Sequence, residues 1–463
     1  MLPGITLAIR EIVGASAGVG GSEMVSLVPT AARHFAGLRA ALLFPLLFSA
    51  YAGPVQAADM PTKASLATAA SASAWQFTLD EDTRFYQWSG TRGFPPIGTG
   101  PGGSGSQVYV PVSFDAVGKT SAVDKWEVQV QSAYVWSGQT TPGQTGSFSE
   151  ITDSTVALTY TYLGLDGVQP YASLALNLPT GKSALFGSAI NGRMDPDLVG
   201  ISVSGQGFNV GPTVGVNIPI GQNWMVGAAF GYTFHGPYDK DTATFLNPAT
   251  FTPFTGTTAR LKQGDDYTVT GTLAYKQGAL FTRLNASATF ETTTSASGTL
   301  GFTPYSGPLY RAGNAHQVTW STSYDWSNVW TSVLVASYGH NGRNQVLAAD
   351  LPPLVAELFN SNTDAYQVTF DNKFQVRSAL TVGPTLGYLY RPNNSYVPTV
   401  LQFISAKTKW TAGGFATYDL TKDLAIRGRV EHYWIDQGAN PGLSLPAIAD
   451  NGWLESIGAT YSW

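Results

Sequence analysis

Residues 126–136 read WEVQVQSAYVW. Trp126, Val128, Val130, Tyr134 and Trp136 take one side of a two-residue alternation, and Glu127, Gln129 and Gln131 take the other. Successive side chains of a strand point to opposite faces, so this stretch reads as a strand with one apolar and one polar face. The pattern recurs. At 154–162, Val156, Leu158, Tyr160 and Tyr162 oppose Thr159 and Thr161. At 363–374, Tyr366, Val368 and Phe370 oppose Gln367, Thr369 and Asp371. At 424–434, Leu424, Ile426, Val430 and Trp434 oppose Arg427, Arg429 and Glu431. About sixteen such segments lie near 74–90, 105–116, 123–137, 150–163, 167–178, 207–219, 223–235, 264–276, 279–292, 312–325, 328–340, 363–375, 378–391, 402–419, 422–435 and 452–463. LDEDTR at 79–84 interrupts the first. The count is even, as single-chain bacterial barrels require, and about 12–14 are the alternatives.

The connections carry a second signal. Short links at 163–167, 221–223, 276–279, 325–328, 377–379 and 419–423 alternate with long ones at 91–104, 138–149, 179–206, 236–263, 293–311, 341–362, 392–401 and 436–451. A soluble sandwich has no reason to alternate this way. A transmembrane antiparallel up-and-down β-barrel does, with tight periplasmic turns and long external loops. Composition agrees. Only 12% of the 463 residues are charged, 12% are aromatic, and there are 51 Gly and no Cys. That charge content is about half of the ~25% usual in soluble domains. With a net charge of −5 and no basic stripe, nucleic acid is excluded as the main partner. Disulfides and Cys-based zinc sites are excluded too.

The N-terminal region reads as an export address. Arg33, His34 and Arg39 precede the apolar run AALLFPLLFSAYAG, and VQA before Ala58 fits a small-x-small cleavage site. Residues 1–57 are therefore expected to be an extension plus signal peptide, with Met24 the more natural start and cleavage near Ala57/Ala58. Residues 58–73 are expected to be a disordered lead-in, and 74–463 the barrel.

The last stretch, GWLESIGATYSW at 452–463, sets Trp453, Ile457, Ala459, Tyr461 and Trp463 against Ser456, Gly458, Thr460 and Ser462. With it the chain resembles Gram-negative outer-membrane β-barrels of the porin-like superfamily, over nearly all of 74–463. The resemblance implies a last strand that pairs with the first. It also implies an assembly signal at Ile457, Tyr461 and Trp463 read by the barrel-insertion machinery. Glu455 departs from the apolar side and is expected at or above the outer interface, where a charge costs little. A narrower stretch, SLALNLPTGKSA at 173–184, is similar to an element of the outer-membrane proteins named for the MetA pathway of phenol degradation. That hints at small, aromatic solutes.

Chemistry-bearing motifs mostly fail. GTGPGG at 98–103 lacks a βαβ context, and PTGKSA at 179–184 lacks the upstream Gly of a P-loop. His316 and His432 fall on apolar faces, where a lipid-acting barrel enzyme would pair a His with a Ser. Ordinary turn chemistry outweighs calcium binding at Asp195, Asp197, Asp265 and Asp266. No catalytic residue, metal or cofactor is assigned.

The polar faces concentrate the scarce charges. Glu127, Arg283, Glu291, Asp371, Lys373, Lys407, Lys409, Arg427, Arg429 and Glu431 are the candidate pore lining, with a basic patch where Lys407 and Lys409 meet Arg427 and Arg429 across the hairpin turn at 419–423. The longest link, with Lys182, Arg193, Asp195 and Asp197, is the candidate constriction loop by resemblance to porins. The expected function is passive or facilitated diffusion of small solutes, aromatic or anionic, across the outer membrane of a Gram-negative bacterium. Outer-membrane lipid and lipopolysaccharide are the surrounding partners. A lipid-acting barrel enzyme and a plugged structural or adhesion barrel are the alternatives.

Overall fold

The computed structural model describes residues 75–92, 102–142, 144–241, 258–300, 303–348, 351–400, 402–443 and 446–463. The export segment 1–57 and the lead-in 58–73 lie outside them. The chain begins with β1 (Gln76–Gly90), β2 (Ser104–Lys119), β3 (Asp124–Thr141), β4 (Gln144–Ile151), β5 (Ser154–Tyr162) and β6 (Gln169–Leu178). It continues as β7 (Asn209–Ile220), β8 (Trp224–His235), β9 (Tyr238–Asp241), β10 (Thr258–Lys262), β11 (Asp266–Gln277) and β12 (Leu280–Glu291). Next come β13 (Thr294–Leu300), β14 (Thr303–Arg311), β15 (Ala315–Ser327), β16 (Trp330–Asn341), β17 (Gln345–Ala348) and β18 (Leu351–Ala356). It ends with β19 (Ala365–Arg377), β20 (Leu380–Arg391), β21 (Lys407–Asp419), β22 (Leu424–Gln437) and β23 (Ile448–Ser462).

Sixteen of these strands form a closed antiparallel barrel with one extra strand, β4. Closure is direct: β1 pairs with β23 from Thr78↔Ser462 to Gly90↔Asp450, and with β2 on its other side. LDEDTR does not break β1. Asp80, Asp82 and Arg84 alternate inward while Leu79 and Phe85 are exposed outward. The upper part of β3 pairs with β4 and the lower part with β5, so the segment expected as a link at 138–149 is largely a hairpin.

The two faces separate as the alternation requires. Outward positions hold exposed apolar side chains, among them Val130, Val214, Val269, Leu386, Val430 and Ile457. Rows of aromatic rings border this band. On the periplasmic side Trp126 meets Tyr160 at 4.8 Å, Trp224 meets Tyr275 at 4.4 Å, and Trp330 meets Trp326 at 5.2 Å and Phe374 at 5.8 Å. On the opposite side Tyr366 lies 5.0 Å from Tyr338 and 6.2 Å from Tyr390, and Tyr388 lies 4.4 Å from Trp410. From Trp453 to Tyr461 a strand climbs about 20 Å along the barrel axis at ~3.4 Å per residue and the usual ~40° tilt, close to the ~25 Å apolar band of membrane barrels. No helix among the described residues is long and apolar enough to cross a membrane.

One expectation is corrected. Glu455 is exposed on the outward face, opposite Phe85 and Val430 and two residues to the periplasmic side of Trp453. It therefore lies below the outer aromatic row, within the apolar band. Its side was fixed by strand parity, while its height depended on where the strand begins, which is Ile448 rather than Gly452.

Three long external connections build a second, six-stranded sheet in the order β18-β17-β14-β13-β10-β9. Leu261, Ala296, Leu309 and Tyr310 are its buried cluster.

Trp463 sits where the barrel seam meets the inner row. Its ring stacks on Phe77 at 5.5 Å and Tyr461 at 5.1 Å, and its backbone exchanges two 3.0 Å hydrogen bonds with Phe77. Aromatic pairs contribute about 0.5–1.5 kcal/mol each beyond burial. Trp463→Ser should therefore cut the fraction of detergent-resistant, fast-migrating barrel on an unboiled gel severalfold. Undiminished assembly would refute the anchoring role.

Candidate functional site

The register places Lys407, Lys409, Arg427, Arg429 and Glu431 on the inward face, and it makes Lys407 opposite Gln437, Lys409 opposite Ile435 and Arg427 opposite Thr417. The basic residues share one wall, but each already has a partner. Arg427 pairs with Asp80 at 2.9 Å; Arg429 pairs with Glu431 at 2.8 Å and Asp371 at 3.5 Å, and donates to Thr385. Lys407 bridges Asp195 at 2.7 Å and Asp197 at 2.9 Å. Lys409 donates to the Asp197 carbonyl at 2.6 Å and lies 4.5 Å over the Tyr433 ring.

The segment between β6 and β7 thus runs inside the barrel. It leaves β6, turns through a 3-10 turn at Gly187–Gly192, and reaches across to the wall formed by β1–β3 and β20–β23. Three kinds of interaction fix it there. The first is ionic: Asp195 also receives Arg92 at 2.9 Å, Arg92 in turn holds buried Asp450 at 2.8 Å, and Asp197 receives Arg391 at 2.9 Å. The second is apolar: Met194, Leu198 and Val199 pack with Trp88, Tyr433 and Ile435. The third uses inward wall side chains as surrogate strands. Gln107 donates to the Ile201 carbonyl at 2.7 Å and accepts from its N–H at 3.0 Å; Gln139 donates to the Asn191 and Arg193 carbonyls, each at 2.7 Å. Gly452 makes room for the Tyr433 side chain. A Cβ there would strike the Gln87 carbonyl and the hydroxyl end of the Tyr433 ring, which sends that hydroxyl to the Leu198 carbonyl at 2.7 Å.

Both ends of the segment are also clipped. Asp153, just ahead of β5, accepts from Gly181 N–H at 2.9 Å, Gln206 N–H at 2.7 Å and Asn177 at 2.8 Å. Arg193 forks onto Asp241 of β9 at 2.6 and 2.7 Å, so the inward segment is tied to the outer sheet. Lys182 pairs with Glu150 at 2.8 Å and stays largely exposed.

Other sequence-selected residues fall elsewhere. Glu127 pairs with Lys125. Arg283 donates to Asn285 at 3.0 Å on the far wall. Lys373 is exposed near the periplasmic end. Glu291 is corrected: it is buried at the top of β12, where it accepts from Thr294 at 2.9 Å, instead of facing a water path. Lys407 is likewise corrected, because the inward segment covers it and leaves its side chain only 12% exposed. His432 lies edge-on between Trp434 at 4.3 Å and Trp453 at 4.5 Å.

The wall facing the segment differs in kind. Inward positions of β5–β8, β11, β12, β15 and β16 include Thr155, Ala157, Thr159, Ser173, Ala175, Gly211, Thr213, Gly215, Gly227, Ala229, Thr268, Thr270, Ser287, Thr289, Thr319 and Ser337, with the larger Tyr171, Asn217, Asn285, Val333 and Val335 between them and Arg283 the charge at mid-height. Most charges gather on the half of the lumen that the segment covers; mostly small neutral groups line the other half.

No protein-family model matches the chain. No curated protein matches it. Among solved structures it is similar to the outer membrane channel DcaP of Acinetobacter baumannii, at 12% identity and a TM-score of 0.40, over 85% of this chain and 98% of that one. It is similar to TodX, a monoaromatic hydrocarbon channel studied as a deletion mutant, at 13% identity and 0.38, over 85% and 91%. It is also similar to OmpT, an outer membrane protein of Vibrio cholerae, at 11% identity and 0.37, over 85% and 100%. The barrel assignment rests on the strand register itself.

Burial would raise the pKa of Asp195, but the charges of Lys407 and Arg92 outweigh it and hold the carboxyl far below the ordinary range. A depressed carboxylate stabilises the docked segment above its unfolded pKa near ~3.9 and loses that contribution only as pH falls through the lower, docked value. The docked state should therefore persist unchanged from about pH 5 to 8. Asp195→Asn with Asp197→Asn strands Lys407 and Arg391, and breaking buried pairs of this kind costs about 3–5 kcal/mol. Limited proteolysis of the folded barrel should then cut between 183 and 203 in the variant but not in the parent. Equal protection would remove the ionic lock.

Proposed function

We propose that the protein is a passive channel for small solutes in the outer membrane of a Gram-negative bacterium. The observation that carries this reading is the two-sided lumen: a sixteen-strand wall whose one half is occupied by an ion-paired inward segment and whose other half is lined mainly by small neutral side chains, with Arg283 among them. Barrels of 16–18 strands are wide enough to hold an aqueous channel. A segment docked on one side narrows such a lumen without filling it. Solutes would pass along the Thr, Ser, Gly and Ala wall, facing the inward segment. Location follows from the outward apolar band and its two aromatic borders, because only a closed barrel or helices can cross a bilayer with every backbone group paired.

Charge preference in this reading is weak. Each of the four basic residues expected to attract anions is held by a carboxylate or a backbone carbonyl, so little unbalanced field reaches the path. Small neutral solutes, aromatic ones among them, fit this lining better than strongly charged ones. The enzyme alternative would need a Ser beside an outward His; the residues opposite His432 are Ala412 and Trp453, and those opposite His316 are Ala288 and His340.

In planar bilayers the folded protein should give steady, ohmic conductance with a reversal potential near zero across a salt gradient. Arg427→Gln with Arg429→Gln uncovers Asp80, Asp371 and Glu431 below the inward segment. Cation over anion permeability should then rise on the order of two- to threefold, an effect that salt screening weakens. Absence of conductance in the parent would defeat the channel reading, and an unchanged reversal potential in the variant would place these residues off the path.

A further inference from the structure

Outside the lumen, where β15 and β16 leave the apolar band, a pocket of about 370 Å³ opens toward the outer surface. Arg311, Asn314, His316, His340, Arg343 and Gln345 line it. Its height is set by the outward face: His316 stands two residues beyond Val318, and His340 two beyond Tyr338, whose ring belongs to the outer aromatic row. That row marks the boundary of the hydrocarbon, so the pocket sits at the level of lipid headgroups.

Its chemistry is one-sided. Arg343 is exposed and has no ion-pair partner among the described residues. Among the described residues Arg311 donates through its Nε to the Glu291 carbonyl at 2.9 Å, while the Glu291 carboxylate, near enough to feel the Arg311 charge, accepts from Thr294. The imidazoles of His316 and His340 lie parallel, 6.3 Å apart. Asp364 is the acid at this rim, and it is occupied: His340 Nδ1 lies 2.7 Å from it and the Tyr338 hydroxyl 3.4 Å. Among the described residues the pocket lining therefore offers two guanidinium groups, imidazole nitrogens and two side-chain amides to a ligand and no carboxylate, the neighbouring Asp364 being engaged. Guanidinium forks match the oxygens of a phosphate bidentately, and the volume lies within the ~300–1,000 Å³ of ordinary ligand sites.

We propose that this pocket binds the phosphate of an anionic outer-leaflet lipid headgroup, with the acyl chains lying along the apolar outward face beneath it. The proposal rests on the membrane location argued above but not on conduction. Three probes separate the sources of phosphate: lipid A carrying both phosphates, the same lipid A dephosphorylated, and inorganic phosphate. Native mass spectrometry of the folded, detergent-held barrel should show retention of phosphorylated lipid A. Retention should fall about tenfold or more for the dephosphorylated lipid and for Arg311→Gln with Arg343→Gln, since each loss removes charged hydrogen bonds of ~1.5–3 kcal/mol. Because Arg311 also supports a backbone carbonyl, Arg343→Glu alone, at an exposed position, gives the same test without disturbing that contact, and Arg343→Lys should keep part of the binding. Equal retention of the dephosphorylated lipid, undiminished retention in Arg343→Glu, or displacement by equimolar inorganic phosphate would each overturn the proposal. A parent that conducts but does not retain lipid A defeats this inference alone; one that retains it but does not conduct defeats the channel reading alone.

Discussion

A peptide group in hydrocarbon has no water to bond, so each strand that crosses a bilayer must find partners on both edges. The pairing of β1 with β23 meets that demand, and everything else in the structure depends on it. Once the sheet closes, strand parity divides every side chain between lipid and lumen. The same closure brings Asp80 from one end of the chain beside Arg427 near the other, and sets Trp463 against Phe77. Ion pairs and aromatic stacks that lie hundreds of residues apart in sequence become neighbours by this one seam.

The lumen then faces its own solvation problem. A wall rich in Lys and Arg repels itself unless counter-charges arrive. Asp195 and Asp197 supply them from a segment that would otherwise project outside. Apolar residues of that segment cover Trp88, Tyr433 and Ile435, so the ionic contacts work in a partly dry environment where they are strong. Polar wall residues such as Gln107 and Gln139 then satisfy its backbone, as a neighbouring strand would. Each contribution needs the others: ion pairs without apolar cover would be screened, and a buried loop without surrogate partners would leave its amides unsatisfied. The result is asymmetric, with a rigid charged half and a small neutral half, and the proposed transport path follows from that asymmetry.

Much was legible before any coordinates. Alternation at Trp126–Trp136 and its repeats indicated the strands, and short and long links indicated which end of the barrel is which. Inward parity of Lys407, Lys409, Arg427 and Arg429 could be read as well. Other features could not. Asp153 belongs to no sequence motif, yet it clips both ends of the inward segment. Glu291 had the right parity for a lining residue but stands too high, under the outer sheet. Nothing in the loop composition showed that three external connections would join into six strands.

Sequence by itself determined the strand period, roughly how many strands build the wall, and the face each side chain takes, because the alternation depends on neighbours one or two positions away. Only the tertiary structure decided which charges remain unpaired, how high along the axis each residue sits, and that the far wall of the lumen is lined mostly by small neutral groups. Those properties depend on register and on a segment crossing the interior, and both are settled by contacts between residues far apart in the chain.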